Sequence, residues 1–175
     1  MERKRLSPDA LDVVTDDHVQ GPDDAPITLI AYCDFECPYC GRAHQQIKDL
    51  QERFPGRLRF VFRHFPLDRK HPAARQAAEA AEAAASQQRF WPMYDLLFEY
   101  QEELETGDLY TYAGMAGLDV PRFKEELHGR IHASRVLRDI ESGRRHGVDG
   151  TPTFFLNSRK VADDEELERL VLRAA

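Results

Sequence analysis

The sequence predicts an α/β fold in which a strand–helix–strand unit is followed by a long helical stretch and then by a hairpin and a last helix. Two short apolar runs, Ile27–Cys33 and Leu58–His64, flank a segment in which apolar residues recur every three or four positions. From about residue 68 to 146 the patterns are helical only, and strand patterns return after that. We therefore expect the helical stretch to be an insertion into one α/β domain.

The first unit should be a βαβ crossover. The run at 27–33 is almost entirely apolar, which is typical of a strand buried on both faces. Pro55-Gly56 ends the helix that follows, and Leu58, Phe60 and Phe62 place one apolar face on the next strand. Two strands joined in this way should be parallel, with a right-handed crossover.

The remaining elements are expected in two groups. Helices are expected over an alanine stripe at 74–85, over an aromatic-rich stretch at 90–104, and over 119–129 and 133–147. A hairpin turning at Asn157-Ser158 and a helix over 164–172 complete the chain.

Length, charge and hydropathy limit the possibilities. The chain of 175 residues suits one domain, which we place at 18–175, with a flexible arm or an edge strand at 11–14 within residues 1–17. A net charge of −7 disfavours nucleic acid and anionic membranes as partners. No apolar run reaches the length of a membrane span, and no secretory signal is recognisable. We expect a cytoplasmic protein, or a periplasmic or extracytoplasmic one if a signal has been removed.

The chemistry is expected at Cys37-Pro38-Tyr39-Cys40. The chain has only three cysteines, which are too few for a disulfide scaffold and favour redox catalysis or metal binding. Pro38 suits the first helical position, so Cys37 should be the N-cap residue. A thiolate there can accept the free N–H groups of the first turn, and such sites lower a thiol pKa from about 8.5 to roughly 3.5–7.5.

Cys40 should complete the redox pair. It lies one turn beyond Cys37 on the same helix face and belongs to the apolar stripe of that helix. We expect an exposed nucleophile, Cys37, and a shielded resolving thiol, Cys40, which attacks the Cys37 sulfur in a mixed disulfide.

Three motifs resemble the DsbA-like thioredoxin family between about residues 18 and 172. They are Asp34-Phe-Glu-Cys-Pro-Tyr-Cys-Gly41, Arg63-His-Phe-Pro-Leu67 and Gly150-Thr-Pro-Thr-Phe-Phe155. The resemblance implies a thioredoxin-like fold with an inserted helical cap, Cys37 as nucleophile, Cys40 as resolver and a cis-proline loop at Thr151-Pro152. Substrate contacts are then expected at Pro38, Tyr39, Thr151 and Pro152, where an extended substrate chain can pair like a strand. Glutaredoxins share Pro-Tyr between their cysteines, but the chain length and the helical insertion disfavour that class.

Two positions depart from the family's pattern. Ala31 stands six residues before Cys37, where many relatives carry a buried glutamate that helps to move protons. Cys33 stands where serine is common. We expect Cys33 to be a small buried bystander, because strand direction should carry it away from the helix start; the alternative is a third redox thiol.

Two histidines are candidate functional residues as well. Cys33, Cys37, Cys40 and His44 have the residue types of a zinc site, but their placement is geometrically awkward. We expect His44 on the solvent side of the helix and His64 in a structural role at a strand end.

The predicted function is thiol–disulfide exchange with protein or peptide substrates and an unidentified redox partner, without a metal or an organic cofactor. Two alternatives remain open at this point. One is a zinc-stabilised or redox-sensing interaction module, and the other is a reductase of low-molecular-weight disulfides.

Overall fold

The computed structural model describes residues 11–174. Within them the chain forms a five-stranded sheet with helices on both faces. The sheet order is β1-β3-β2-β4-β5. The strands are β1 (His18–Gln20), β2 (Ile27–Cys33), β3 (Leu58–His64), β4 (Thr153–Leu156) and β5 (Arg159–Lys160).

The central pair β2 and β3 is parallel, as predicted. Its register runs from Ile27 opposite Leu58 to Cys33 opposite His64. Helix α1 (Pro38–Arg53) connects the two strands and buries the apolar stripe that predicted it. Both strands therefore end at the edge of the sheet where α1 begins, and the β2–α1 turn carries the two cysteines of the motif.

The insertion forms five helices, and a further helix follows the hairpin. They are α2 (Ala74–Ala85), α3 (Phe90–Glu99), α4 (Thr106–Met115), α5 (Val120–His128), α6 (Ala133–Arg145) and α7 (Asp164–Ala174). The helix expected over 90–104 ends at Glu99, and α4 had no sequence signal of its own. It contains two glycines, and its apolar residues are not confined to one face, so it lacks the periodicity of an amphipathic helix.

Both sheet faces are buried, because successive β2 side chains point to opposite sides. Leu29 joins Phe60 and Phe62 in the larger apolar cluster under α1 and the insertion. Ile30 joins Val61 in the smaller cluster on the other face. This burial explains why neither central strand shows alternating polar residues.

The edge strand formed by the N-terminal part of the chain is β1, not the expected strand at 11–14. Residues 11–14 have no strand structure, although Leu11 is buried in the smaller cluster. The segment is held by side-chain bonds instead, since buried Arg63 donates to the Asp12 carbonyl and pairs with both carboxylate oxygens of Asp17 at 2.7 and 2.8 Å. The rest of the expected arm, residues 1–10, lies outside the described residues.

Candidate active site

The β2–α1 turn has the predicted N-terminal geometry. Cys37 is the N-cap residue with extended backbone angles, and Pro38 occupies the first turn. The Gly41 amide donates to the Cys37 carbonyl at 3.1 Å, which starts the helix. Cys40 follows one turn later and is fully buried in the larger apolar cluster.

Cys37 is not the exposed thiol that the sequence suggested. The residue is only 3% exposed, and its side chain makes no capping bond to the first turn of α1. The thiol instead donates to the Thr151 carbonyl oxygen at 3.4 Å. The loop before β4 covers the sulfur and accepts the hydrogen bond of the thiol. Sequence spacing could not predict this contact, because the two residues are 114 positions apart.

The expected lowering of the Cys37 pKa is also absent from the reduced pair. The neighbouring Cys40 thiol, followed by burial, raises the pKa of Cys37 well above its ordinary value, while Thr151 and the Cys40 backbone act in the opposite direction. Burial first, and then a hydrogen bond with Cys33, raises the pKa of Cys40. The reduced pair therefore holds its protons tightly.

The loop at Thr151-Pro152 lies against the Cys37 sulfur. The peptide bond between these residues is cis, and both residues are half-buried. The Thr151 hydroxyl oxygen is buried without a hydrogen-bond partner among residues 11–174. Pro38 and Tyr39, which directly follow Cys37 in the chain, are exposed, with Tyr39 at 60%. The structure thus brings all four expected substrate residues around Cys37.

Asp34 organises the turn, a role that sequence reasoning missed. Its buried carboxylate accepts from the Glu36 amide at 2.8 Å, from the Leu67 amide at 2.8 Å and from His71 Nδ1 at 2.7 Å. Its own amide donates to Cys40 Sγ at 3.4 Å. The residue stands first in the motif around the cysteines, which is the one signal that pointed to it.

Gln101, after α3, is the second missed residue. Its Nε2 donates to the Phe35 carbonyl at 2.9 Å and to the Cys37 carbonyl at 3.0 Å. A side chain from the insertion therefore fixes the backbone that carries Cys37. Only the tertiary fold brings positions 64 residues apart into this contact.

Cys33 lies beside Cys40 rather than away from the start of α1. It is buried in the same apolar cluster as Cys37 and Cys40, and it is close enough to raise the pKa of the Cys40 thiol. The expectation about its position was wrong, because the turn after β2 folds back over the end of the strand. Ala31 is fully buried between Phe62 of β3 and Phe154 of β4.

The two histidines behave differently from each other. His44 is buried, donates from Nε2 to Asp95 at 2.9 Å and packs against Tyr94 and Phe98, so the solvent-side expectation was wrong. The insertion covers the face of α1 that the sequence pattern left polar. His64 is fully buried at the end of β3 and bonds Glu82, as a structural histidine should.

The fold and the two-cysteine turn define a DsbA-like protein of thioredoxin fold. A family model described as thioredoxin matches residues 14–172, and the chain belongs to that family. None of the helices within 11–174 is long and apolar enough to cross a membrane.

Solved structures with this fold cover nearly the whole chain. Oxidised BdbD from Bacillus subtilis is 28% identical with a TM-score of 0.80, covering 89% of this chain and 91% of that one. A thioredoxin-like oxidoreductase from Silicibacter pomeroyi is 23% identical with a TM-score of 0.78, covering 96% and 93%. Alpha-DsbA1 from Wolbachia pipientis is 20% identical with a TM-score of 0.76, covering 93% and 90%.

Curated relatives at higher identity are longer proteins. The chain is 47% identical over 154 residues to the Na(+)/H(+) antiporter NhaA 3 of Salinispora tropica, covering 88% of this chain and 24% of that protein. It is 45% identical over 145 residues to NhaA of Herminiimonas arsenicoxydans, covering 83% and 23%. The chain spans about a quarter of the length of the curated relatives that it matches.

Proposed function

We propose that the protein exchanges disulfides with polypeptide substrates through Cys37 and Cys40. The observation that carries this proposal is the Cys37 thiol on the Thr151 carbonyl, with Cys40 one turn behind it and solvent-facing Pro38 and Tyr39 beside it. The BdbD, alpha-DsbA1 and oxidoreductase structures support the class.

The exchange proceeds in two steps when the protein acts as a reductant. The Cys37 thiolate attacks one sulfur of the substrate disulfide, so a Cys37–substrate bond forms and the other substrate sulfur leaves as a thiolate. The Cys40 thiolate then attacks Cys37 Sγ, which forms the Cys37–Cys40 bond and releases the second substrate thiolate. The reverse sequence oxidises a substrate dithiol, and the redox poise of the compartment sets the direction.

The Thr151 carbonyl links the state of Cys37 to substrate binding. In the reduced protein this oxygen accepts a hydrogen bond from the Cys37 thiol. A sulfur in a disulfide has no proton to donate, so the carbonyl becomes free to accept from a substrate amide. An extended substrate segment can then pair with the loop before β4 in the manner of an added strand.

Turnover of a protein disulfide tests the proposal. The protein should catalyse dithiol-dependent reduction of insulin, and Cys37→Ser should abolish the activity, whereas Cys33→Ser serves as the matched control and should retain it. Activity in the Cys37→Ser variant would contradict the proposal. A preference for glutathione disulfide over insulin would instead support a reductase of small disulfides.

A further inference from the structure

A second cluster of chemically competent side chains lies at the junction of β1, β3 and α2. His18 and His64 each donate from Nε2 to the same atom, Oε1 of Glu82, and both distances are 2.7 Å. His64 and Glu82 are buried, and the His18 side chain is only 14% exposed. The proposed exchange chemistry uses none of these three residues.

We propose that His18, His64 and Glu82 form a binding site for a divalent cation of the zinc type. Two imidazole nitrogens and one carboxylate oxygen are a donor set that zinc accepts, with a fourth position left for water. The three ligand atoms all lie within 4.8 Å of one another. Ligands on a tetrahedral zinc stand about 3.3 Å apart, so each pair that is now hydrogen-bonded at 2.7 Å has to open by about 0.6 Å.

Packing presets both rings for this geometry. His18 stacks on Phe90 with ring centroids 3.4 Å apart and an interplanar angle of 6°. The His64 ring packs edge-on to Phe62 at 5.1 Å and to Phe90 at 6.1 Å. His64 Nδ1 is buried and has no hydrogen-bond partner among residues 11–174. Aromatic contacts and the Glu82 bond therefore hold its Nε2 toward the site.

The nearby arginines are already paired with aspartates, so their charge does not oppose a cation at Glu82. Arg135 acts electrostatically on Glu82, but Arg135 is itself ion-paired with Asp139. Arg63 is likewise paired with Asp17. Each of these two pairs is neutral in itself. The ion pairs of Glu82 are made with the two imidazoles. A cation would supply a fixed positive charge at a buried carboxylate whose present partners are charged only when protonated.

Cation binding would exchange two hydrogen bonds for metal–ligand bonds. Each imidazole must present a lone pair at Nε2, so the proton now on that atom leaves to solvent or moves to Nδ1. No electron transfer is involved. The bound cation would join the edge strand β1 and the central strand β3 to α2, the first helix of the insertion, and would stabilise the attachment of the insertion to the sheet.

Zinc titration by calorimetry tests the site. Because thiolates bind zinc, the parent protein carries Cys33→Ser, Cys37→Ser and Cys40→Ser, and is treated with chelator and dialysed before titration. We expect one zinc per chain and a rise in the thermal midpoint when zinc is added. His18→Gln and Glu82→Gln should each weaken binding by at least about tenfold and remove that rise.

The matched control is His132→Gln. His132 also donates from Nε2 to a glutamate, Glu126, at 2.7 Å and is similarly half-buried, but it has no second histidine on that carboxylate among the ion pairs of residues 11–174. This variant should bind zinc as the parent does.

Three results would overturn the proposal: no zinc bound by the folded parent, binding only at millimolar zinc, or binding retained by both His18→Gln and Glu82→Gln. If the cysteine-free parent does not fold, cobalt absorption of the unmodified chain replaces calorimetry. The weak bands of nitrogen and oxygen ligation should then be present, and His18→Gln should abolish them; bands that survive this change would contradict the site.

Discussion

Thr151 shows most clearly how single residues set the reactivity of the pair. The neighbouring Cys40 thiol and burial raise the pKa of Cys37, and Thr151 opposes them. The Thr151 hydroxyl oxygen is buried and has no hydrogen-bond partner within the described part of the chain. A buried hydroxyl without a partner costs free energy in the thiol state, and donation to a Cys37 thiolate would recover that cost.

Thr151→Val should therefore raise the pKa of Cys37 further. The thiolate fraction at neutral pH falls tenfold for each unit by which the pKa rises. The rate of Cys37 alkylation at pH 7 should fall in proportion to the thiolate fraction, about tenfold for each unit of pKa increase. The free energy of unfolding should not fall. Thr151→Ser keeps the hydroxyl and serves as the control. Equal alkylation rates in the valine and serine variants would show that the hydroxyl has no such role.

Cys33 should influence the resolving step without joining it. Burial and the hydrogen bond with Cys33 raise the pKa of Cys40, so release of a mixed disulfide should speed up from pH 7 to pH 9 as the Cys40 thiolate fraction grows. Cys33→Ala removes that hydrogen bond, which should lower the pKa of Cys40 and speed release at pH 7. Stopped-flow measurement of the release rate checks this.

The control for that experiment is Cys33→Ser, which keeps a hydrogen-bonding group at the position. The oxidised protein should carry the Cys37–Cys40 bridge alone, with Cys33 alkylated after denaturation. A substantial fraction of molecules with Cys33 in a bridge would make it a functional third thiol.

For single residues, the sequence predicted positions within the helix better than burial and tertiary contacts. Cys37, Pro38 and Cys40 occupy the N-cap, the first turn and the buried helix face that their spacing indicated. The covered state of Cys37 and the burial of His44 depend on segments far along the chain, namely the loop before β4 and helix α3. Local periodicity cannot predict contacts between residues so far apart in the sequence.

Among the elements, the insertion and the thioredoxin-like core meet at Gln101. Its side-chain amide donates to the carbonyls of Phe35 and Cys37, the two residues on either side of Glu36 in the β2–α1 turn. The insertion is therefore part of the site, because it fixes the backbone from which the nucleophile projects.

Gln101→Leu should remove this donor from the Phe35 carbonyl, whereas the Cys37 carbonyl keeps its bond from the Gly41 amide. Loss of a buried hydrogen-bond partner costs about 1–3 kcal/mol, and the free energy of unfolding should fall by that amount in chemical denaturation. Insulin reduction should slow as well, since the turn is less well fixed. Gln76→Leu, which removes an exposed bond to Thr106, is the control. Equal effects of the two changes would contradict a specific role for Gln101.

A helix or strand could be predicted where its own sequence carried a clear local pattern. Both central strands, α1 and the hairpin at Asn157-Ser158 follow from apolar runs, helical periodicity and turn residues, and both turn residues adopt positive φ. Helix α4 and strand β1 could not be predicted in this way. Helix α4 has little apolar periodicity, and β1 has only three residues, which is too short for a recognisable pattern. Pairing with β3, and not local preference, makes β1 a strand.

At the scale of the whole molecule, one parallel pair and one distant loop build the site. The chain after β2 turns into α1 with Cys37, and the chain after α6 returns through the loop before β4, which pairs antiparallel with β2. This pairing places the Thr151 carbonyl on the Cys37 sulfur. The insertion between them covers α1 and the larger apolar cluster.

The most direct test of this account is the mapping of a trapped mixed disulfide in the Cys40→Ser variant. Without the resolving thiol, attack on a protein disulfide should stop at the covalent intermediate, and peptide mass mapping should find the substrate attached to Cys37 in nearly every adduct. Attachment mainly at Cys33, or the absence of any adduct from a folded variant, would contradict the assignment of Cys37 as the nucleophile.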